Sequence, residues 1–520
     1  MTGTDEVAAR TVRAGQPAYS SGEKGLRPNA IGFWDGLAIG LDSTAPAYSL
    51  AAVLGSVVVI AGTKAPAVLL LSFIPIFLIA SAFYYMNRAD QDCGTTFSWV
   101  TRAMGPTLGW LGGWAVFVTG VLVVGSLADV SAYYLYDLVG LDGLAGSRVA
   151  VVAFAVVIIV VMTWICVRGT ELSARVQRVL VLAQVLALLA FVVVAVVRLV
   201  TGDVPDGALT PSLSWLSPAG LDAESLISGL LLSVFIYWGW ESTVNLTEES
   251  SDNATAPGKA ALVSTVVLLV TYLGVTITMV AVAGLDLVGE YDDDAGLFGA
   301  VAELVLGPFA FVLVLSIIAS GVASTQTTIL PASRTSLSMA VAGAFPRMFG
   351  RVHPRFGTPA AGTWLIGIAS IVWYVGASLV SDNFLFDSLS ALSLLIAFYY
   401  ALTGIACVIY WRRRLLHSVK AFLLVGVGPL VGAAMLAYLL YQSVIQLADP
   451  EASNTGTSVL GIGVPLAIAL FFTVTGVVLM LIWRAGPGRV FFSRRGGETV
   501  TDEVALATLG PTTPGGLGGS

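Results

Sequence analysis

Long apolar runs separated by short polar links dominate this chain. A spanning helix needs roughly 20 mostly apolar residues. Runs that meet this lie near 31–60, 66–86, 108–136, 148–168, 176–200, 225–247, 258–284, 304–330, 360–380, 386–410, 419–445 and 458–483. Continuous runs of this length predict helices, because a membrane barrel shows short alternating strands instead. The predicted fold is therefore an all-α membrane protein with twelve transmembrane helices. Residues 1–30 and 486–520 are polar and read as mobile tails. The first of these lacks the apolar core of a cleaved signal peptide.

Two spans break the pattern. The first reads IGFWDGLAIGLDSTAPAYSLAAVLGSVVVI, with Gly40, Asp42, Ser43, Thr44 and Pro46 close together. Ser43 or Thr44 can cap a new helix, and Pro46 suits its first turn. This predicts two half-helices joined by an unwound link. The second half-helix would point its positive dipole end toward mid-membrane, which suits a carboxylate. The plainer reading is a kinked helix in which Asp42 only caps. The sixth span carries SVFIYWGWESTVNLTEES, residues 233–250. It predicts a helix ending near Trp238 and another starting near Ser242 or Thr243, with Gly239 as the weak point and Glu241 at membrane depth. An intramembrane acid is costly and points to function. Interrupted helices at matching places in two halves, 31–200 and 223–412, mark an inverted-repeat transporter site. Residues 413–485 add two plainer spans outside the working core.

Composition sharpens this picture. The chain is 57% hydrophobic and 11% charged, with a mean hydropathy of +0.88, which excludes an ordinary soluble domain. With the N-terminus cytoplasmic, 22 of the 25 Lys and Arg fall inside, and only Lys64, Arg148 and Arg198 fall outside. By the positive-inside rule both termini are cytoplasmic. Acid gathers in outer loops, as at Glu290 and Asp292 to Asp294, and no basic arm suggests nucleic acid. Cys93, Cys166 and Cys407 are scattered and read as packing residues. His353 and His417 fall in loops, so a metal or haem site is not expected, and no cofactor is. Arg102, in the polar stretch 92–114, suggests an amphipathic cytoplasmic segment that does not cross.

Other polar positions inside spans stay open. Asp129 faces either the solute path or the outer interface. Gln184 suits an interhelical hydrogen bond. Ser316, Ser320 and Ser324 repeat on one face of the eighth span, beside Thr325, Gln326 and Thr327; they bind a cation or form a packing seam. Ser388, Ser390, Ser393, Tyr399 and Tyr400 line a path or pack.

Four stretches then resemble the amino acid permeases of the amino acid–polyamine–organocation superfamily. They are IGLDSTAPAYSLA (39–51), GTTFSWVTRAMGPTLGWLGGW (94–114), YWGWESTVNLTEE (237–249) and the Arg-led loop RTSLSMAVAGAFPRMFGRVHPRFGTP (334–359). The resemblance implies a LeuT-like fold, a 5+5 inverted repeat plus two extra helices. It implies transport of an amino acid or related amine by alternating access. It places the substrate carboxylate at N–H groups of Ser43, Thr44 and Ala45. The amine goes to carbonyls of Ile39, Gly40, Phe235, Ile236 and Trp238. Two departures stand out. The family's Gly-Ser-Gly-like break reads Leu41-Asp42-Ser43-Thr44 here, so Asp42 is a further partner for an amine. Gln184 occupies the region where many proton-coupled members carry a lysine.

The expected function is an ion-coupled plasma-membrane permease. Tyr237, Trp238 and Trp240 form an aromatic wall or gate. Glu241 is the expected proton site, because a buried carboxyl group favours its neutral form; Asp42 is an alternative coupling residue, and the bland reading of Glu241 is a structural acid. Glu248 and Glu249 suit a cytoplasmic gate, paired with an Arg or Lys259. A sodium ion near Ser324 and Thr325, giving a sodium symporter, is one rival, and exchange without an ion is another. A membrane enzyme is the rival from another class, and no nucleophile, metal cluster or cofactor motif supports it.

Overall fold

A computed structural model of the chain describes residues 24–289, 297–380, 384–453 and 455–509. Tail residues 1–23 and 510–520, and the acidic loop positions Glu290 and Asp292 to Asp294, lie outside the described residues. The described chain is helical almost throughout. In order the helices are α1 (Phe33–Thr44), α2 (Pro46–Ala61), α3 (Ala65–Ala89), α4 (Thr96–Met104), α5 (Pro106–Leu138), α6 (Asp142–Ala145), α7 (Arg148–Arg168) and α8 (Thr170–Thr201). Then come α9 (Ala223–Ile236), a 3-10 helix Trp240–Glu249, α10 (Ala256–Gly289), α11 (Leu297–Leu306), α12 (Ala310–Val341), α13 (Ala360–Ser378) and α14 (Phe384–Trp411). The last are α15 (Val419–Ala421), α16 (Gly428–Gln446), α17 (Val464–Ala485), α18 (Arg489–Phe492) and α19 (Asp502–Leu509).

Eleven segments among the described residues are long and apolar enough to cross a bilayer. The first, Phe33–Ala89, has 57 residues. As one helix it would measure about 85 Å, well beyond a single crossing. It is divided at Ala45 and again at the Gly62–Lys64 turn. Helices α5 and α14 are mostly buried and form the centre, whereas α7, α8 and α17 expose most of their apolar surface, as lipid-facing helices do. Close approach fixes the α5–α12 contact: a Cβ on Gly321 would lie 2.2 Å from the Ser131 hydroxyl and 2.8 Å from the Leu127 carbonyl.

Within the stretch 92–114, α4 packs between α5 and α14 with Thr96 bonded to Thr403 at 2.8 Å. Two expectations are corrected. The Arg-led loop is no loop at its start: α12 runs to Val341, and Arg334 is fully buried within it. The reason is charge pairing, since Arg334 Nε and Nη2 donate to both Glu249 oxygens at 3.0 and 3.1 Å. The segments read as mobile tails are packed where they are described. Leu26 and Lys24 are buried, and residues 497–507 donate to or accept from Arg102, Arg412 and Arg88.

These pairings close the face of the bundle on which α1 begins, called here the N-terminal face. Lys24 Nζ donates to Glu248 Oε1 at 2.7 Å and to Asp92 Oδ1 at 2.9 Å. Ser98 and Ser338 also donate to Asp92 Oδ1. Ala30 N donates to the Glu249 carbonyl, and Ser251 N to that of Ile31, so the entry to the first span is stitched to the exit of the sixth. Asp92, Cys93 and Glu248 bring potential metal-ligand atoms within 4.8 Å of one another. The Lys24 ammonium already sits on that cluster, 3.5 Å from the Cys93 sulfur.

Burial disfavours the Lys24 ammonium, but Asp92, Cys93 and Glu248 outweigh it and raise its pKa. Burial likewise disfavours the Asp92 carboxylate, yet Lys24 and Arg102 hold it well below the usual range. A raised lysine stabilises the fold below its free value, and a lowered acid stabilises it above its free value. The contribution therefore spans roughly pH 4 to 10.5. Replacing Lys24 by Met should cost about 3 kcal/mol near neutrality, the scale for removing one partner of a buried pair. The wild-type-minus-variant difference in unfolding free energy should be largest near neutrality and shrink once the pH falls below about 4. Burial pushes Asp90 up to about 6 although Arg102 and Lys24 both hold it down, so removing Lys24 raises it further, and part of the difference is lost already as Asp90 takes up its proton.

Candidate functional site

The first break is a single residue. Helix α1 runs through Asp42, Ser43 and Thr44, and Ala45 then turns left-handed at φ 47°, ψ 63°. A non-glycine residue there costs roughly 1–2 kcal/mol, so the surroundings must hold it. Ala45 N donates to the Asp42 carbonyl at 3.1 Å. Hydroxyls take the carbonyls that the helix end exposes. Thr44 Oγ1 donates to Leu41 O, Ser49 Oγ to Thr44 O, and Ser324 Oγ to Ser43 O at 3.1 Å. Pro46 opens α2 as expected, but the cap residue is Ala45, not Ser43 or Thr44. The N–H groups of Ser43 and Thr44 lie inside α1. Those that the α2 terminus leaves without an intrahelical partner belong to Ala47 and Tyr48, and Tyr48 N faces the Ser320 hydroxyl at 3.4 Å.

The second break runs from Tyr237 to Gly239. Helix α9 ends at Ile236, two residues before the expected Trp238, and helical structure resumes at Trp240 rather than Ser242. Gly239 has φ +119°, and a Cβ there would sit 2.4 Å from the Ser43 carbonyl oxygen. The two breaks thus touch backbone to backbone. Ser43 and Ser242 add a hydroxyl pair at 2.6 Å. The Phe235 carbonyl accepts from Trp238 N and the Ile236 carbonyl from Tyr272 Oη at 3.0 Å, so both already have donors. A 3-10 helix has three residues per turn, which aligns Ser242, Asn245 and Glu248. That ridge meets Ser43, then Thr95 and the Cys93 carbonyl, then Lys24.

The aromatic residues separate. Tyr237 packs on Phe73 and Tyr272, and Trp240 on Phe83 and Tyr400. Only Trp238 of the three reaches the closed central space of about 10 Å³, lined also by Ser43, Glu241, Ser242, Thr328 and Tyr399. Gly40 lies elsewhere, against Ser264 and the Trp240 carbonyl, and Ile39 is fully buried on the same half-helix. A larger cavity of about 770 Å³ lies toward the opposite face, between α2, α9, α14 and α16. None of its lining residues belongs to either break, so the small space beside both breaks is the candidate site.

Glu241 has a full set of donors. Tyr399 donates to one oxygen, Tyr400 to the other at 2.6 Å, and Gly239 N adds a bond at 3.2 Å. Trp238 Nε1 donates to Tyr399. This chain ties the second break to α14. Asp42 differs. It is buried on α1 and accepts from Gln184 of α8, away from the central space. Asp129 accepts from Arg148 at 2.6 Å and from Tyr374, which ties α5 to α7 and α13. Thr325 donates to the Gly321 carbonyl at 2.8 Å.

The chain that carries these two touching breaks resembles known proteins in sequence. The pattern of a family described as amino acid permease matches residues 38–474. The chain belongs to that family. This permease is 24% identical to the methylthioribose transporter of Bacillus subtilis over 74% of its own chain and 82% of the relative. It is 25% identical to the branched-chain amino acid permease of Lactococcus lactis, over 65% and 72% of the two chains. It is 25% identical to the mouse Asc-type amino acid transporter 1, over 77% and 71%. The permease is thus a multi-pass membrane protein and a secondary transporter by family, which points away from an enzyme.

Sequence reading missed Lys24, Asp92, Thr95, Asn245, Thr328 and the donor role of Tyr399 and Tyr400. Their signal was weak because each is an ordinary polar residue until the fold brings it to the breaks. Removing the Tyr399 or Tyr400 hydroxyl should each cost about 1.5–3 kcal/mol, the scale for a hydrogen bond to a charged group. The double variant should cost less than the sum, since both serve one carboxylate. Tyr237→Phe should leave stability unchanged or raise it, because the buried Tyr237 hydroxyl has no hydrogen-bond partner among the described residues. Chemical unfolding of the purified protein measures all four.

Proposed function

We propose that this permease moves an amino acid or a related amine across the cell membrane by alternating access, with both termini cytoplasmic. The observation that carries the reading is the contact of the two breaks at Gly239 and Ser43. Such breaks bring helix ends together at mid-membrane, which is where transporters of this construction bind. The solute would lie between Ser43, Trp238, Ser242 and Thr328, with its carboxylate toward the Ala47 and Tyr48 end of α2. The ion pairs of Lys24 and Arg334 form the cytoplasmic closure, so the site is reached from the other side or after those pairs part.

The span Phe33–Ala89, divided at Gly62, supplies two crossings, and the total is then twelve. The halves 31–200 and 223–412 pair as inverted repeats, each opening with one broken helix. Relatives named for branched-chain amino acids, Asc-type amino acids and methylthioribose make small neutral solutes the first class to test. Sodium near Ser324 and Thr325 stays a rival, because each hydroxyl donates its hydrogen to a carbonyl and keeps its oxygen lone pairs for a cation.

Purified protein in liposomes should take up at least one labelled neutral amino acid, or methylthioribose, in exchange for the same solute inside. No exchange of any of these solutes would defeat the reading. A second measurement addresses the site. Thr328 lines the central space and its hydroxyl has no partner, so Thr328→Cys removes no bond. In a background lacking the three native cysteines, a water-soluble thiol reagent should label it slowly. Lys24→Ala should speed labelling several-fold, and the transported solute should slow it. Labelling indifferent to both changes would place the solute path elsewhere.

A further inference from the structure

One buried acid has no place in the solute site and no charged partner. Asp42 sits in the last turn of α1, fully buried. Its Oδ1 accepts from Gln184 Nε2. Among the described residues, its Oδ2 has no hydrogen-bond partner, and neither has Gln184 Oε1. Two acceptor oxygens without donors thus belong to two side chains that already touch. A buried carboxylate with one amide donor is costly to keep ionised, and an orphaned buried acceptor adds to the cost. One proton on Oδ2 removes both problems, because the acid and the amide can then exchange two hydrogen bonds.

The surrounding elements offer no competing cation among the described residues. On α1, Asp35 pairs with Arg178 of α8 at 2.9 Å. Arg198 of α8 pairs with Asp203, and Arg175 and Lys259 are exposed at helix ends. Asp286, near the end of α10, is exposed as well. On the 3-10 helix, Glu241 is held by Tyr399 and Tyr400, Glu248 by Lys24 and Glu249 by Arg334 of α12. Tyr272 of α10 donates to the Ile236 carbonyl, and Tyr48 of α2 bonds to Ser126.

Resting on the transport reading above, we propose that Asp42, paired with Gln184, carries the proton that couples to solute movement, and that Glu241 does not. The proton comes from water on one side and returns to water on the other, and no other bond changes. When Oδ2 loses it, two unprotonated oxygens face each other and the pair parts. Asp42 lies three residues before Ala45, and its carbonyl holds the Ala45 N–H. Ser43, the next residue, touches both Ser242 and Ser324. Loss of the proton therefore loosens the end of α1 where the two breaks meet. Glu241, with three donors on its two oxygens, is built to stay an acceptor.

The test uses the whole protein in liposomes carrying a pH-sensitive dye inside. For wild type, an imposed inward proton gradient should raise solute uptake several-fold, and adding solute outside should acidify the lumen. For Asp42→Asn, uptake with the gradient should fall to the level without it, and acidification should vanish. Glu241→Gln should keep the wild-type ratio of uptake with the gradient to uptake without it; a ratio that falls to one overturns the exclusion of Glu241. Wild type that exchanges solute but never acidifies the lumen overturns the proton assignment and leaves transport standing. Wild type with no exchange overturns transport, and the coupling proposal with it. If Asp42→Asn does not fold, infrared spectra of wild type decide. A protonated-carboxyl band should titrate with pH and move to higher frequency in Gln184→Leu, where the carbonyl loses its donor. A band absent, or unmoved in Gln184→Leu, overturns the proposal.

Discussion

A helix cannot be interrupted inside a bilayer unless the freed backbone groups find partners in the protein. That constraint organises this permease. At the first break, hydroxyls of Thr44, Ser49 and Ser324 take the carbonyls of Leu41, Thr44 and Ser43. At the second, Tyr272 takes the Ile236 carbonyl and the Glu241 side chain takes Gly239 N. The short polar side chains that looked like isolated irregularities in apolar spans are the partners that make the breaks tolerable. They come from α2, α10 and α12, so these helices hold the breaks in register.

Charge does a different task at the edge. Arg334 and Lys24 are buried with Glu249 and Glu248, at the end of the 3-10 helix that follows the second break. Buried pairs add little net stability but are costly to split. They suit a closure that stays shut until a binding event offsets the cost of opening. The Ser242–Asn245–Glu248 ridge links that closure to the break, because one short helix carries both.

The long-range plan was legible in the sequence. Apolar runs gave the spans, and Gly, Pro and acid at 40–46 and 237–241 located both breaks. The boundaries slipped: Pro46 fixes the start of α2 one residue later than a Thr44 cap implies, and at the second break α9 stops two residues before Trp238 and helix resumes two residues before Ser242. What the sequence did not reveal is direction. Tyr237, Trp238 and Trp240 are adjacent, yet only Trp238 faces the central space. Asp42 and Glu241 both read as buried acids. Only their neighbours, one amide for the first and two tyrosines with a backbone N–H for the second, separate them. Arg334 read as a loop residue because a lone arginine does not belong in an apolar helix until Glu249 is placed beside it.

The central claim is that solute lies where the two breaks meet. An experimental structure of the protein with a transported solute bound tests it most directly. The account predicts ligand density between Ser43, Trp238, Ser242 and Thr328, with Ala45 and Gly239 still interrupting their helices. Density confined to the larger cavity between α2, α9, α14 and α16, or a continuous helix through Ala45, would contradict it.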